Sequence, residues 1–383
     1  MANESQVDPK LKSEIRKYGE FDVKGCYACG SCLVSCPLSG DYSSFPRKSI
    51  SYAQIGLKKL LIGNLEPWLC YYCGDCSTTC PQQTEPGEAM MTLRRYLTSR
   101  YDWTGFSSKF YKSKLWEFGS LFLVGAFVLI LALLFHGPII TSRVELNTFA
   151  PVELVHNFDM ILLFVLSFFL LTNVFRMWWF TVFRSGLKIP LSLYVTELKT
   201  LIWHAATQIQ FGKCVNKIRW IKHWLLAAGY VIMFTMIIVF LWWFQTDNIY
   251  PIYHPQRWLG YFAAGALIYL SAEILISRRK KQEQIHKYSH STDWLFPTLL
   301  LLTSVSGIGV HLFRYLGLPL ATYYTYVIHL AIAVPMLVIE VPFGKWAHLA
   351  YRPLAIYFHA VKKKAFQLQM SKEADLRLAR TIT

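Results

Sequence analysis

The chain has 383 residues, of which 54% are hydrophobic, 16% aromatic and only 16% charged, against about a quarter charged in a soluble globular protein. Its formal net charge of +16 lies in short segments between long apolar runs and forms no patch. That pattern argues against a nucleic-acid binder and points to membrane topology.

The opening stretch, residues 1–25, is polar and charged, without the apolar core or cleavage site of a secretory signal, so the N-terminal part is expected to stay in the cytoplasm. Eight of the nine cysteines fall between Cys26 and Cys80. In a reducing compartment such a concentration points to metal and away from disulfides. The cysteines form two runs, CYACGSCLVSCP and CYYCGDCSTTCP, each reading C-x2-C-x2-C-x3-C-P. A cubane cluster takes three thiolates from such a tight loop, while the fourth cysteine turns away to the other cluster. The spacing therefore predicts two 4Fe-4S clusters, one on Cys26, Cys29, Cys32 and Cys80, the other on Cys70, Cys73, Cys76 and Cys36. Pro37 and Pro81 end each run and keep the fourth cysteine on its new heading. Structural zinc uses paired C-x2-C units or Cys/His mixtures, not this run. Cys214 lies outside both runs and reads as a buried thiol. The stretch EAMMTLRRYLTSR, within residues 82–105, reads as a helix whose Met and Leu positions pack while Arg94 and Arg95 are solvated. Residues 1–105 thus form a small metal-organised domain.

Six apolar spans follow, at about 117–136, 158–180, 223–244, 258–276, 294–313 and 322–342, each near the ~20 residues a spanning helix needs. Pro335 and Pro342 are expected to kink or end the last one. Twenty-three Lys and Arg lie in the segment just before span one (Lys109, Lys112 and Lys114), in 181–222, between spans four and five, and after 343; the alternate loops hold only Arg143, Arg257 and Arg314. The positive-inside rule then places both termini in the cytoplasm, in an inner, multi-pass membrane protein. Within the long inner loop, at about 190–215, Leu191, Tyr194, Leu198, Leu201, Ile202, Ala205 and Ile209 recur at helical spacing. They predict an amphipathic helix, lying on the inner leaflet or docked on the cytoplasmic domain. The chain reads as all-α: a small, ferredoxin-like double-cluster domain (1–105), a six-helix transmembrane bundle (106–350) and a cytoplasmic tail (351–383).

Ionisable side chains in a bilayer usually mark function, and haem b is held by axial histidines on facing helices. His329 and His348 are 19 residues apart, about 28 Å along one helix, close to the hydrocarbon thickness. Matching by depth predicts two haems, an outer one on His311 and His329 and an inner one on His223 and His348. His156 is a rival outer ligand and His204 a rival inner one. Glu340 and Glu273 are candidates to relay protons or to pair with a Lys or Arg, or are simply buried neutral carboxyls.

The paired cysteine runs resemble the iron–sulfur C-subunit of heterodisulfide reductases. Spans three to six resemble the b-type cytochrome subunits of that family and of respiratory nitrate reductase. The stretch HLAIAVPMLVIEVPFGKWAHLAYRP, from His329 through His348, is similar to their last helix, and RWIKHWLLAAGY, around His223, to their other ligand helix. Where that second helix carries another histidine ten residues on, this chain has Met233, so the outer haem needs another partner, for which His311 is the candidate and His156 the rival. The fusion of both halves resembles the C-subunit of the quinone-interacting membrane-bound oxidoreductases. The resemblance implies menaquinone as substrate and haem b as a relay to the clusters. It also implies cytoplasmic flavin and iron–sulfur subunits as partners, with adenylylsulfate (APS) reductase beyond them. A methanophenazine-oxidising heterodisulfide reductase subunit is the alternative, and a haemless iron–sulfur anchor a third.

Overall fold

The computed structural model describes residues 6–40, 42–213 and 216–382. Cys214 lies outside them. Among the described residues the fold is helical, with one isolated bridge between Gly40 and Ser43 and no strand. In chain order, the helices that frame it are α1 (Ser31–Val34), α2 (Glu66–Leu69), α3 (Asp75–Thr78), α4 (Pro86–Tyr101), α5 (Lys114–Phe135), α6 (Val152–Thr181), α7 (Leu191–Thr196), α8 (Leu198–Thr207), α9 (Lys217–Ile238), α10 (Pro255–Lys280), α11 (Ser291–Tyr315), α12 (Pro319–Glu340) and α13 (His348–Ile382). They divide between two compact units. The first is drawn from Met1–Ser108, Leu171–Trp220 and Ala347–Thr383, the second from Lys109–Leu170 and Ile221–Trp346.

In the first unit, α4 buries Met90, Leu93, Tyr96, Leu97 and Tyr101. Tyr18 meets Tyr96 edge to face at 5.6 Å. The helix was expected, but the solvation of its arginines was not met. Arg95 is buried and ion-paired with Glu88 at 3.5 Å, and Arg94 gives its Nε–H to the Pro67 carbonyl at 2.7 Å. The segment read as a tail is likewise a helix. α13 buries Tyr351, Ala355, Phe358, Val361 and Ala365, spaced to make one apolar stripe. It packs that stripe on α2 and α8. Tyr351 meets Trp68 at 4.8 Å, and Lys364 pairs with the buried Glu197. The run Lys362–Lys364 gave this segment its polar look, yet the long side chains leave the apolar stripe free to pack. The amphipathic segment forms α7 and α8, and both pack on α13. Their other face, with Leu191, Val195, Ile202 and Trp203, is exposed.

The second unit holds most of the length of the apolar helices. Among the described residues, six helices are long and apolar enough to cross a membrane, from Lys114–Phe135 to Pro319–Glu340, which fits a multi-pass membrane protein. Their outward positions, such as Phe122, Leu133 and Phe164, are exposed, as lipid-facing side chains are. Leu267, Phe296, Leu300, Met336 and Trp346 form one internal cluster, and Phe110, Ile339 and Phe343 another.

The third span starts and ends earlier than expected, closing at Ile238. The last span runs unbroken through Pro335, and it stops at Glu340, just ahead of Pro342, as that proline led one to expect. A 3-10 turn, Lys345–Ala347, intervenes before α13. Pro342 has no N–H to continue the ladder, and the Glu340 carboxylate accepts the freed N–H of Lys345 at 2.8 Å. His329 and His348 therefore stand on different helices, and the 28 Å separation along one helix does not apply.

Candidate functional site

The two cysteine runs fold alike. Ala28 and Tyr72, the residues before the second cysteine of each run, have φ of 55° and 54°. Gly30 and Gly74, the residues after it, both have φ of 91°. That left-handed backbone costs a glycine nothing but strains any residue with a Cβ. It turns the chain sharply into α1 and α3, the one-turn helices that carry the third cysteine. Backbone bonds then match pair by pair: Leu33 N–H to Gly30 at 2.8 Å and Ser77 N–H to Gly74 at 2.9 Å, then Cys36 to Leu33 and Cys80 to Ser77, both at 3.4 Å. The fourth cysteine of each run leaves this turn on the side of the other run.

Cys36 and Leu38 share one apolar cavity with Cys70, Cys73 and Cys76. Burial pushes the Cys36 thiol up to about 12, with the charges of Cys70 and Cys73 adding to it. Burial also raises Cys76, again reinforced by Cys70, Cys36 and Cys73. On the other side, burial raises Cys32, reinforced by Cys26, Cys29 and Cys80. The structure thus brings Cys36 to the second run and Cys80 to the first. Thiols raised in this way stay protonated unless a positive centre compensates the thiolates. Among the described residues, no three His, Cys, Asp or Glu side chains converge to the spacing of a single metal ion. A cubane puts each thiolate on a different iron, so its ligands stand farther apart than those of one tetrahedral zinc.

Cations surround the second run. Arg352 lies 3.8 Å above the Tyr71 ring, and Arg219 donates to the Tyr72 carbonyl at 2.7 Å. The charges of Arg94 and Arg352 both favour the Cys70 thiolate. The Nη2 atoms of Arg94 and Arg352 are buried without a hydrogen-bond partner. Buried N–H groups of guanidinium left unsatisfied beside a set of thiols fit a site built for an anionic cluster. The arginines were missed by the sequence reading because their burial depends on helices far apart in the chain.

The candidate haem ligands divide differently. On α12, His329 holds Ser306 at 3.0 Å through Nδ1, while Ser306 gives its own hydrogen to the Thr303 carbonyl at 3.0 Å. Nδ1 is then the donor, which leaves the Nε2 lone pair for a ligand, as metal-bound histidines are arranged. Gly307 makes room for the ring; a Cβ there would sit 3.3 Å from the His329 Cε1. His311 does not fit an axial ligand in this way, because both its nitrogens are engaged, by Arg257 at 3.1 Å and by Tyr261 at 2.7 Å. Nδ1 of His156 is buried and unpartnered, with the ring 5.6 Å from Trp242. Nδ1 of His204, on α8, is also buried and unpartnered. His223, on α9 of the second unit, and His348, opening α13 of the first, are both partly buried. Glu273 pairs with Lys222 at 2.7 Å.

The 4Fe-4S dicluster domain family matches residues 22–84. The chain is 27% identical, over 99 residues, to a protein of Archaeoglobus profundus that is like the C-subunit of heterodisulfide reductase. That stretch covers 26% of this chain and 53% of the relative, so the chain spans about half the length of the curated relative it matches. No solved structure matches it. The chain therefore carries an iron–sulfur dicluster domain, akin to a heterodisulfide reductase C-like protein, together with six apolar helices of membrane-spanning length.

Proposed function

We propose that this chain is the membrane subunit of a respiratory oxidoreductase complex, passing electrons between a membrane quinone and cytoplasmic partner subunits through two 4Fe-4S clusters. The observation that carries the reading is the joining, in one chain, of a 4Fe-4S dicluster domain and six membrane-length helices. Cys26, Cys29, Cys32 and Cys80 hold one cluster; Cys70, Cys73, Cys76 and Cys36 hold the other. Each cluster, when bound, supplies one-electron transfer. The protein supplies thiolates, burial and the cations around the second run, and at the first run it leaves Tyr27 and Val34 exposed. We place that exposed run toward the soluble partners, with both termini in the cytoplasm and the bundle in the cytoplasmic membrane.

Menaquinone as the quinone, flavin and iron–sulfur subunits as neighbours, and APS reductase as the further partner belong to the same proposal and rest on the likeness of the sequence. Haem b also belongs to it. His329 fits a ligand on its tautomer; His223 and His348 are assigned from their sequence positions; His311 does not fit. A second reading, a methanophenazine-linked heterodisulfide reductase subunit, is favoured by the name of the Archaeoglobus profundus relative.

The test is the detergent-purified complex, assayed for iron and for optical and paramagnetic changes on adding menaquinol or reduced phenazine. About eight irons per chain, reduced by menaquinol, is the expected result. Reduction by the phenazine alone would transfer the reading to the second carrier. Clusters that neither donor reduces would leave an iron–sulfur anchor. A b-type band in the same spectrum tests haem separately.

A further inference from the structure

The misfit of His311 as an iron ligand has a definite chemical form. Arg257, near the start of α10, is only 9% exposed. Its Nη1 donates to the His311 Nδ1 at 3.1 Å. A guanidinium only donates, so Nδ1 is the acceptor and Nε2 carries the ring hydrogen. Nε2 then donates to the Tyr261 hydroxyl at 2.7 Å. Tyr261 accepts that bond and keeps its own hydrogen for another acceptor. Meanwhile Nε and Nη2 of Arg257 are buried with no partner. Arg314, 4% exposed, is held by the carbonyls of Thr246 and Asn248, and its Nε is also buried and unpartnered.

The cluster is therefore rich in donors and short of acceptors, which is costly within a membrane helix bundle. Its walls are aromatic. The Tyr315 ring meets His311 edge to face at 4.8 Å, Tyr261 lies 5.4 Å from His311, and the Arg257 guanidinium stands 5.7 Å from the Tyr315 ring centre. Around it on α10 and α11, Trp258, Phe262 and Leu312 are exposed and face lipid in a spanning bundle. Unsatisfied donors between aromatic rings, beside side chains that face lipid, suit a planar ligand that carries carbonyl oxygen and comes from the bilayer.

We propose that Arg257, Tyr261, His311 and Tyr315 form the binding site for the head group of a membrane quinone, its carbonyl oxygen accepting from Arg257, and that His311 positions this site and does not ligate iron. The inference rests on the quinone reading above and names the residues that would serve it. Arg257 is the binding residue; His311 holds it and Tyr261 in register.

The test is equilibrium binding of heptyl-hydroxyquinoline N-oxide, a quinone analogue, to the purified full chain in detergent, read by quenching of the analogue's fluorescence. Losing a hydrogen bond from a charged donor weakens binding roughly tenfold or more. Arg257→Gln is expected to show that loss with iron content unchanged, and Tyr261→Phe a smaller one. If Arg257→Gln does not fold, Tyr261→Phe and Tyr315→Leu decide, and wild-type affinity in both overturns the site. Wild-type affinity in a folded Arg257→Gln overturns it as well. If that variant instead loses copurifying anionic phospholipid, the occupant is a lipid phosphate. A wild-type chain that binds no analogue would remove the quinone reading itself, a different failure from unaffected variants.

Discussion

The two cysteine runs share spacing, backbone and one-turn helix, yet they sit in opposite surroundings. In the first run Cys29 is exposed, and the flanking Tyr27 and Val34 are 77% and 93% exposed. Hydrogen bonds from Ser31 bring the Cys29 thiol below its usual value. In the second run Cys70 and Cys76 are buried, Tyr71 stacks on Phe211 at 5.0 Å, and burial raises both thiols. The motif specifies how a cluster is grasped; the residues between the cysteines and the helices packed over them specify what the cluster faces. One site is built to be approached and the other to be enclosed.

The sharpest way to break the comparison is through the fourth cysteines, because each belongs by sequence to one run and by position to the other. Cys36→Ser is expected to remove the enclosed cluster, lowering iron from about eight to about four per chain, while the paramagnetic signal of the first cluster survives. Cys80→Ser should do the reverse. Loss of the first run's signal in Cys36→Ser would mean each run holds its own cluster.

Tyr27 and Tyr71 occupy the same place in the two motifs, so they make a matched pair. Tyr71→Ala opens a cavity beside Phe211 and removes the ring under Arg352; about 3 kcal/mol of stability should go with it. Tyr27→Ala leaves an exposed site and should stay within about 0.5 kcal/mol, while slowing electron exchange with a soluble partner. Denaturant midpoints and stopped-flow reduction would measure the two effects. Equal destabilisation would erase the distinction between the sites.

Acid should destabilise the first unit through His359. His359, on α13, packs its ring 5.3 Å from Tyr42. Burial lowers it to about 4, helped by Lys362, Lys363 and Lys48. The folded state thus prefers the neutral ring, whereas the unfolded chain binds a proton near the ordinary value of 6.5. Stability is full above 6.5 and is lost as pH falls from there toward 4. The loss is about 2 kcal/mol, discounted for partial exposure. Thermal midpoints at pH 7 and pH 5 should therefore converge in His359→Phe, and a wild-type midpoint indifferent to pH would contradict the assignment.

What the sequence disclosed and what it hid follow from the range of the interactions. Cysteine spacing and apolar run length are local, so the dicluster domain and the six long helices could be read directly. The engagement of Arg94 and Arg95 was not legible, because Arg95 depends on Glu88, and Arg94 on the Pro67 carbonyl and on the charge of Cys70. The apolar stripe of α13 went unread because composition counts Lys362–Lys364 and overlooks the spacing of Tyr351, Ala355, Phe358 and Ala365. The engagement of His311 needed Arg257 and Tyr261, more than 40 residues away on another helix. Only the 3-10 break before His348 had a local warning, in Pro342 followed by Gly344.

The smallest effect tests what enclosure does for redox tuning. Arg352 sits 3.8 Å over Tyr71, and its charge favours the Cys70 thiolate; one of its terminal nitrogens is buried and unpaired. A cluster becomes more negative on reduction, so a nearby fixed cation stabilises the reduced form and raises the potential. Arg352→Gln should lower the potential of the enclosed cluster and leave that of the exposed one in place, with iron content unchanged. The shift should be small, since Arg94 and Arg219 remain and water screens part of the charge. Redox titration followed by paramagnetic resonance resolves the two clusters separately. Equal shifts in both would mean that the cation acts as part of the domain's general field, and the asymmetry between the runs would then be one of access alone.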